Sequence, residues 1–367
     1  MPFAVVCRLV PVLLVMLMPL PAAALSMAFI NPGKSTEPYW SLANAAMGQV
    51  AESLGIELEI LTTERNYLAQ IHLLEALGER PAQQRPDYVI VVGEKATLPA
   101  QLAAAELADI PIFLAFNSVI GEAHEEVGFP RQRYRHWLGS LVPVAEEGGY
   151  IAARALIQEA RQSLPTDQPL KMIAIAGDRS THTSIERNRG LERALLEFQE
   201  TTLLQKVYAD WSYGKALEQT SHLLRRYPDV RLIWTASDLQ GFAAAEAARH
   251  LGLTPGRDVF ISALNATPAA LDAVLSGELS VLAGGHHMAG AWAMVLLYDY
   301  HHGQDFLATE GTAELKFSMF SLLDRAAAAR LVERRKSQSR TDFCQFSRVC
   351  NPKLEAYDFS YARWLDM

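Results

Sequence analysis

The sequence predicts an α/β fold made of two doubly wound parallel-sheet lobes joined by a hinge. Short apolar runs bounded by turn residues alternate with helix-length segments, which is the pattern of parallel sheets with helical crossovers. The chain has 367 residues, a length that suits two domains better than one. The alternation breaks after Asn117 in a charged stretch without periodicity, and it resumes beyond it. We therefore expect one lobe on each side of that stretch.

The first lobe is predicted to begin with a strand at residues 25–30, followed by a helix that Pro38 opens, since proline is favoured in the first turn. Its other elements are predicted as strands at residues 56–61, 88–92 and 110–116 and helices at 67–77 and 96–108. In the second lobe, strands are predicted at residues 138–142, 172–176, 203–208, 232–235, 259–263 and 280–283 and helices at 144–160, 184–198, 214–226, 239–251 and 268–276.

The N-terminus has the features of a secretory signal. Arg8 precedes an apolar run at residues 9–20, and the small residues of Pro21-Ala-Ala-Ala24 follow it. The run is shorter than the roughly 20 residues that a membrane-spanning helix needs. We predict that residues 1–24 are cleaved and that the mature chain is exported to the periplasm without a membrane anchor.

Charge and cysteine content narrow the range of partners. The chain carries 33 basic and 41 acidic side chains, a net charge of −8, which argues against binding to nucleic acid or to an anionic membrane surface.

Cys344 and Cys350 lie six positions apart in a polar tail, and in an oxidising compartment a local disulfide is favoured over two free thiols. Two cysteines without a neighbouring histidine pair do not indicate zinc, so we predict no metal.

Motifs for cofactors and catalysis are missing from the sequence. No Gly-x-Gly-x-x-Gly fingerprint or Walker loop follows a predicted strand, so we expect no nucleotide cofactor. No Gly-x-Ser-x-Gly elbow occurs, and His124 lacks the second histidine of a zinc protease helix. Glycosidase carboxylates stay open as an alternative, because a sequence does not show which acids meet across a cleft. We predict that the protein is not an enzyme.

Aromatic side chains follow the first strand. Tyr39 and Trp40 lie at the carboxyl end of that strand, on the edge of the sheet where ligands of open α/β folds bind. Two interpretations stay open: these rings stack on a small molecule, or they are the first core residues of the helix.

Polar and aromatic residues follow successive strands of the second lobe. The candidates are Arg187, Trp211, Ser237, Asn265 and His286. Together they form a polar pocket with a flat apolar wall, which suits a hydroxyl-rich small molecule: rings stack on its apolar faces and bidentate side chains bind its hydroxyls. For the histidine pair at 286 and 287, a hinge contact, a pH sensor and a ligand contact are all open. Asp238 is interpreted as the cap of the helix that follows it.

Four segments resemble the periplasmic sugar-binding proteins of the ribose-binding type, from about residue 26 to about residue 320. They are Pro38-Tyr-Trp-Ser-Leu-Ala-Asn-Ala-Ala-Met, Ala209-Asp-Trp, Thr235-Ala-Ser-Asp-Leu-Gln-Gly-Phe-Ala-Ala and Ala263-Leu-Asn-Ala-Thr-Pro. The resemblance implies that Tyr39, Trp40 and Trp211 stack on a sugar and that Arg187 binds its hydroxyls.

The chain also departs from the pattern of that family. Phe116-Asn117 stands where ribose-type binders have Asp-Arg, Asn265 replaces an aspartate, and Ser237 replaces an asparagine. Gly285 or His286 takes the place of the hinge glutamine. We interpret Asn117 and His286 as ligand contacts at these changed positions, and we expect a sugar-like ligand other than an ordinary aldopentose.

The resemblance further implies a three-strand hinge and a division of the chain. The N-terminal lobe is predicted to comprise residues 25–138 and 286–318, the C-terminal lobe residues 139–285 and 319–336, and an extension residues 337–367. The implied function is that of a monomeric solute-binding protein that closes on its ligand and presents it to a membrane permease of an ABC importer. The alternative is a periplasmic receptor that signals to a membrane sensor kinase or diguanylate cyclase.

Overall fold

The computed structural model of the protein describes residues 24–94, 97–117, 119, 123–164, 169–337 and 339–367. The predicted signal peptide, residues 1–24, lies outside the described residues except for Ala24. No helix in the described part of the chain is both long enough and apolar enough to cross a membrane.

Two six-stranded sheets form the cores of two lobes. The strands β1 to β12 span, in chain order, Ser26–Asn31, Glu57–Thr62, Tyr88–Val91, Ile112–Ala115, Trp137–Pro143, Leu170–Ala176, Thr201–Tyr208, Leu232–Thr235, Phe260–Leu264, Val281–Gly284, Glu314–Phe317 and Ser321–Leu322. The first sheet has the order β11-β5-β4-β3-β1-β2 and is parallel throughout. The second sheet has the order β12-β10-β9-β8-β6-β7, and only β12 runs antiparallel. The predicted fold class is thus confirmed.

Helices cover both faces of the sheets. The helices α1 to α13 span Pro38–Leu54, Ala69–Gly78, Leu98–Ala108, Ala123–Val127, Ala145–Ser163, His182–Glu197, Tyr213–Arg226, Asp238–His250, Pro268–Ser276, Ala289–His301, Phe306–Glu310, Arg325–Lys336 and Tyr361–Leu365. Helix α1 begins at the predicted Pro38 and α9 has the predicted bounds, because each begins with a proline and is followed by a glycine in the left-handed region. Because all strands but β12 are parallel, the carboxyl ends of the parallel strands lie at one edge of each sheet.

The chain crosses between the lobes three times: after β5, after β10, and between β11 and β12. Strand β5 pairs with β4 over residues 137–141 and with β11 over residues 140–143 of the first sheet, so the predicted lobe boundary at residue 138 falls inside this strand. The crossing follows Pro143, because a strand with ladder partners on both sides cannot leave its sheet midway.

The C-terminal segment, residues 339–367, packs on the first lobe. The ring of Phe359 stacks on Trp292 of α10 with centroids 5.0 Å apart. The carboxylate of the buried Asp299 accepts hydrogen bonds from the Arg348 amide at 2.6 Å and the Tyr357 hydroxyl at 2.8 Å. Within this segment the sulfur atoms of Cys344 and Cys350 are joined as a disulfide.

Candidate functional site

The eight predicted ligand contacts line a single cavity of about 110 Å³ between the lobes. They are Tyr39, Trp40, Asn117, Arg187, Trp211, Ser237, Asn265 and His286. A cavity needs at least about 10–15 Å³ in this measure to hold one water molecule, so this one has room for a small solute.

The first lobe contributes an aromatic wall. The Trp40 ring packs edge-on against Phe116 at 5.1 Å and is 4% exposed, so it belongs to the core and also lines the cavity. The Tyr39 ring meets Trp40 edge-on, with centroids 5.1 Å apart. The two interpretations of this pair are therefore compatible: Trp40 anchors the helix, and Tyr39 reaches farther toward the second lobe.

The second lobe presents Trp211 in a fixed orientation. Its indole Nε1 donates to the carboxylate of Asp178 at 2.7 Å. A Cβ atom on Gly177 would lie 2.2 Å from the indole, so only glycine lets the ring lie across this strand end. Burial opposes ionisation of Asp178, but hydrogen bonds from Thr181, Ser180 and Trp211 outweigh it and lower the pKa of Asp178. The ring is thus held by an ionised carboxylate.

Arg187 is the buried cation of the site. One guanidinium nitrogen, Nη1, donates to the Ala236 carbonyl at 2.6 Å, and Nη2 lies 2.8 Å from His286 Nε2. The side chain is 3% exposed, and burial lowers its pKa to about 10, so it stays charged at neutral pH. Because arginine only donates, His286 Nε2 accepts and the proton of the neutral imidazole is on Nδ1.

His286 lies where the two lobes and the hinge meet. Its ring stacks on Tyr39 of the first lobe at 5.2 Å and on Phe320 of the third crossing at 4.5 Å. Burial, with the charge of Arg187 adding to it, holds the pKa of His286 well below its usual range. Arg187 Nε and His286 Nδ1 are buried and find no hydrogen-bond partner among the residues that the structure describes.

Ser237, and not Asp238, caps helix α8, and both residues line the cavity. Ser237 is the N-cap of α8, and its hydroxyl accepts from the Gln240 amide at 3.4 Å. Asp238 is the first residue of the helix, so the prediction that it caps the helix was wrong. Its buried carboxylate accepts from Asn265 Nδ2 at 2.7 Å and from Thr267 Oγ1 at 2.5 Å. Burial raises the pKa of Asp238 even though these hydrogen bonds lower it.

A hydrogen bond closes the cavity between the lobes. Thr183 Oγ1, in the first turn of α6, donates to Asn117 Oδ1 at 2.7 Å. Asn117 follows the last residues of β4 in the first lobe, whereas α6 belongs to the second. The structure therefore describes a closed arrangement, in which Asn117 contacts the opposite lobe while it lines the cavity.

A cluster of acidic and basic residues on the first lobe was not among the predicted site residues. Arg65 donates through Nε to Glu37 at 3.1 Å, and its Nη1 lies 3.7 Å from a carboxylate oxygen of Glu94. All three line the cavity. Arg65 follows β2 and Glu94 follows β3, so the strand-end rule applied to the second lobe would have found them in the first.

No group of three or more His, Cys, Asp or Glu side chains that could hold a metal ion occurs within the described ranges. The acids of the cavity instead bond to arginine, amide and hydroxyl groups.

Comparison with known proteins gives one family match: the family described as periplasmic binding protein domain matches residues 27–305. Among solved structures, a periplasmic sugar-binding protein from Pseudomonas fluorescens is 32% identical. It superposes with a TM-score of 0.81, and the match covers 94% of this chain and 100% of that one.

Curated relatives match less of the chain or at lower identity. The galactofuranose-binding protein of Escherichia coli (strain K12) is 21% identical over 263 residues, which cover 70% of this chain and 76% of that protein. An HTH-type transcriptional regulator of Thermobifida fusca is 32% identical over 118 residues, 31% of this chain. This match covers only 32% of the regulator, about a third of its length.

Proposed function

Because the chain belongs to the periplasmic binding protein family, we propose that it closes on a monosaccharide or a similar polyhydroxylated solute and presents it to an ABC importer. The family match over residues 27–305 confirms the resemblance drawn from the sequence. The proposal adds to it a ligand class, a binding site and a membrane partner.

The observation that carries the proposal is a cavity with an aromatic wall on each lobe and two buried donors between them. Tyr39 lies on one side and Trp211 on the other. Sugars present C–H faces that pack on aromatic rings and hydroxyls that bond to polar side chains. Arg187 Nε and His286 Nδ1 are donors without a partner among the described residues, and ligand hydroxyl oxygens are acceptors of the kind that each donor needs.

A furanose is the sugar form that we propose. One relative is named for binding galactofuranose, which is a furanose sugar. Its sequence aligns with 70% of this chain. The departure at Phe116-Asn117 removes the Asp-Arg pair of ribose-type binders, so the ligand's polar edge meets a different set of groups. Glu37, Arg65 and Glu94 line the same cavity and supply charged partners for exocyclic hydroxyls.

We propose binding without chemical conversion. A retaining or inverting glycosidase needs one carboxyl group to donate a proton and another to act as nucleophile or base. Here Glu37 is bonded to Arg65, and Asp238 accepts from Asn265 and Thr267. These contacts stabilise both acids as fixed acceptors, which supports recognition of hydroxyls.

Titration calorimetry with three ring types tests the ligand class. Methyl β-D-galactofuranoside, D-allose and myo-inositol present a furanose, a pyranose and a cyclitol. We expect one-to-one binding of the furanoside and weaker or no binding of the other two. If only D-allose or myo-inositol binds, the site is still a polyol site but the proposed furanose is wrong. If none of the three gives heat at millimolar concentration, the proposed function is contradicted.

The membrane partner and the location need separate experiments. We expect the sugar-loaded protein, used as bait in detergent-solubilised membranes of its own cells, to retain a permease. Recovery of a membrane sensor kinase or diguanylate cyclase instead would support the receptor alternative. N-terminal sequencing of the exported protein should begin at Leu25 if residues 1–24 are the cleaved signal, whereas an intact Met1 would contradict periplasmic export by that route.

A further inference from the structure

The C-terminal segment reaches the hinge as well as the first lobe. Helix α13 places Tyr361, which is 2% exposed, directly beside the second crossing. A Cβ atom on Gly285 would lie 2.4 Å from Tyr361 Cγ and 2.1 Å from the Met319 carbonyl oxygen. The Tyr361 ring also meets His287 edge-on, with centroids 5.5 Å apart. The Tyr361 side chain thus contacts the second crossing on both sides of His286, at Gly285 and at His287.

The backbone that Tyr361 covers has an unusual conformation. Gly285 has φ +123° and ψ −31°, a region that side-chain-bearing residues rarely adopt. The next residue is His286, whose position between Tyr39, Phe320 and Arg187 depends on the direction in which the chain leaves Gly285. Such a conformation persists only when its surroundings hold it, and Tyr361 is a large part of those surroundings.

Tyr361 is connected to the second lobe through Trp364 and helix α12. Its ring stacks on Trp364 at 5.1 Å, and the Arg334 guanidinium lies 4.3 Å from the centroid of the Trp364 ring. Arg334 also donates to the Trp364 carbonyl at 3.2 Å. Arg334 belongs to α12, and the first residue of that helix, Arg325, donates to the Leu275 carbonyl of the second lobe at 2.8 Å. The segment therefore joins both lobes behind the hinge.

We propose that Tyr361 is a positioning residue for the sugar site. By holding Gly285 and His287, it keeps His286 against Arg187 and favours the closed arrangement. This inference rests on the proposed function for its effect on affinity but not for its effect on the hinge. It assigns the C-terminal segment a part in ligand binding, although none of its residues lines the cavity.

Tyr357 offers a matched control within the same segment. It is also a buried tyrosine, at 5% exposed, and its ring lies 5.2 Å from Phe359. Its hydroxyl bonds to Asp299 of the first lobe, and its ring contacts Phe359 and Arg348 of the same segment, away from the hinge. Alanine at either position removes similar packing, so the two variants separate loss of packing from loss of hinge support.

The experiment compares Tyr361→Ala with Tyr357→Ala by two measurements. The first is amide hydrogen exchange of residues 285–288 in the protein without sugar, where the Met288 amide donates to the Gly285 carbonyl at 3.0 Å. The second is the affinity for methyl β-D-galactofuranoside. We expect Tyr361→Ala to accelerate exchange at least tenfold and to weaken binding at least tenfold, and Tyr357→Ala to change either by less than twofold.

Conservative variants keep the test decisive. Tyr361→Phe should behave as the unaltered protein, because the ring and not the hydroxyl makes the hinge contacts. If Tyr361→Ala does not fold, Tyr361→Leu is used in its place. We expect it to change exchange and affinity in the same directions, by smaller factors. Equal effects of the Tyr361 and Tyr357 variants, or none from the Tyr361 variants, would overturn the inference. If the unaltered protein does not bind the furanoside, the proposed ligand fails and the exchange measurement alone decides.

Discussion

The two walls of the cavity are built differently. On the first lobe, charged groups are held by one another: Arg65 and Glu37 form an ion pair whose side chains are 28% and 18% exposed. On the second lobe, Asp178 and Asp238 are each 4% exposed or less, and backbone amides, hydroxyls and an indole fix them. The second wall is therefore preorganised, whereas the polar part of the first can rearrange with little loss.

This difference teaches where binding free energy should be concentrated. A ligand gains most from groups that are already oriented and desolvated, because it does not have to order them. Arg187 is such a group, held by the Ala236 carbonyl and His286. Arg65 must keep or exchange its bond to Glu37 when a hydroxyl approaches. We expect substitutions on the second wall to reduce affinity more than equivalent substitutions on the first.

The largest effect is expected from the two arginines compared directly. Arg187→Ala should weaken sugar binding by about 100-fold, near 3 kcal/mol, the upper range for a hydrogen bond to a charged group. Arg65→Ala should weaken it no more than about fivefold, because a partly exposed ion pair contributes about 1 kcal/mol or less. Calorimetry measures both. A greater loss of affinity from Arg65→Ala than from Arg187→Ala would contradict the expectation that the second wall contributes more to binding.

The tryptophans of the two walls should separate affinity from stability. Trp211→Ala is expected to weaken binding by about 30-fold, near 2 kcal/mol, through loss of a stacking face. It should change the free energy of unfolding little, because the ring is only partly buried. Trp40→Ala should instead destabilise the fold by about 3–5 kcal/mol, as expected for a buried aromatic residue. Unchanged affinity in the Trp211→Ala variant would end its assignment as a stacking residue.

Much of this site could be predicted because its residues follow strands. In a parallel sheet the carboxyl ends meet, so residues as distant in sequence as Trp211 and Asn265 come together once the strands are recognised. The same rule extends to Arg65 and Glu94, which follow β2 and β3. The sequence therefore contains the signal for these two residues as well.

Other features depend on tertiary contacts that periodicity does not encode. Ser237 and Asp238 are both good helix caps, and the choice between them depends on Asn265 and Thr267, which bond to Asp238 from another strand end. The crossing after Pro143 depends on β11 pairing with β5 across more than 170 positions of the chain. The contact of Tyr361 with Gly285 is likewise set by the docking of the whole C-terminal segment.

Acidification should sharpen the comparison at His286, where the walls meet. Burial, and after it the charge of Arg187 and the imidazole of His287, lower the pKa of His286 and keep it neutral in the closed form, while opening returns its pKa toward about 6.5. Because the closed form binds fewer protons, affinity is full above pH 6.5 and falls below it, by about tenfold at pH 5.5.

Calorimetry at pH 7.5 and 5.5 measures this dependence, with His286→Gln as the control. Glutamine keeps an acceptor for Arg187 but does not titrate, so the variant should bind equally at both values. Equal affinity of the unaltered protein at pH 7.5 and 5.5 would show that His286 is not exposed by opening. An equal fall in the variant would assign the pH dependence to another group.

The smallest expected effect concerns the hydrogen bond that joins the walls. Thr183→Val removes the donor to Asn117 Oδ1, a bond of 2.7 Å, and keeps the shape of the side chain. Since a neutral hydrogen bond contributes about 1 kcal/mol, sugar affinity should fall about fivefold, mostly through faster dissociation from a less stable closed form. Thr309→Val is the control, because its hydroxyl bonds to the Phe306 carbonyl at 3.1 Å and Thr309 does not line the cavity. Stopped-flow tryptophan fluorescence measures dissociation, and equal rates for the two variants would contradict the assignment of the Asn117–Thr183 hydrogen bond as a contact that holds the lobes closed.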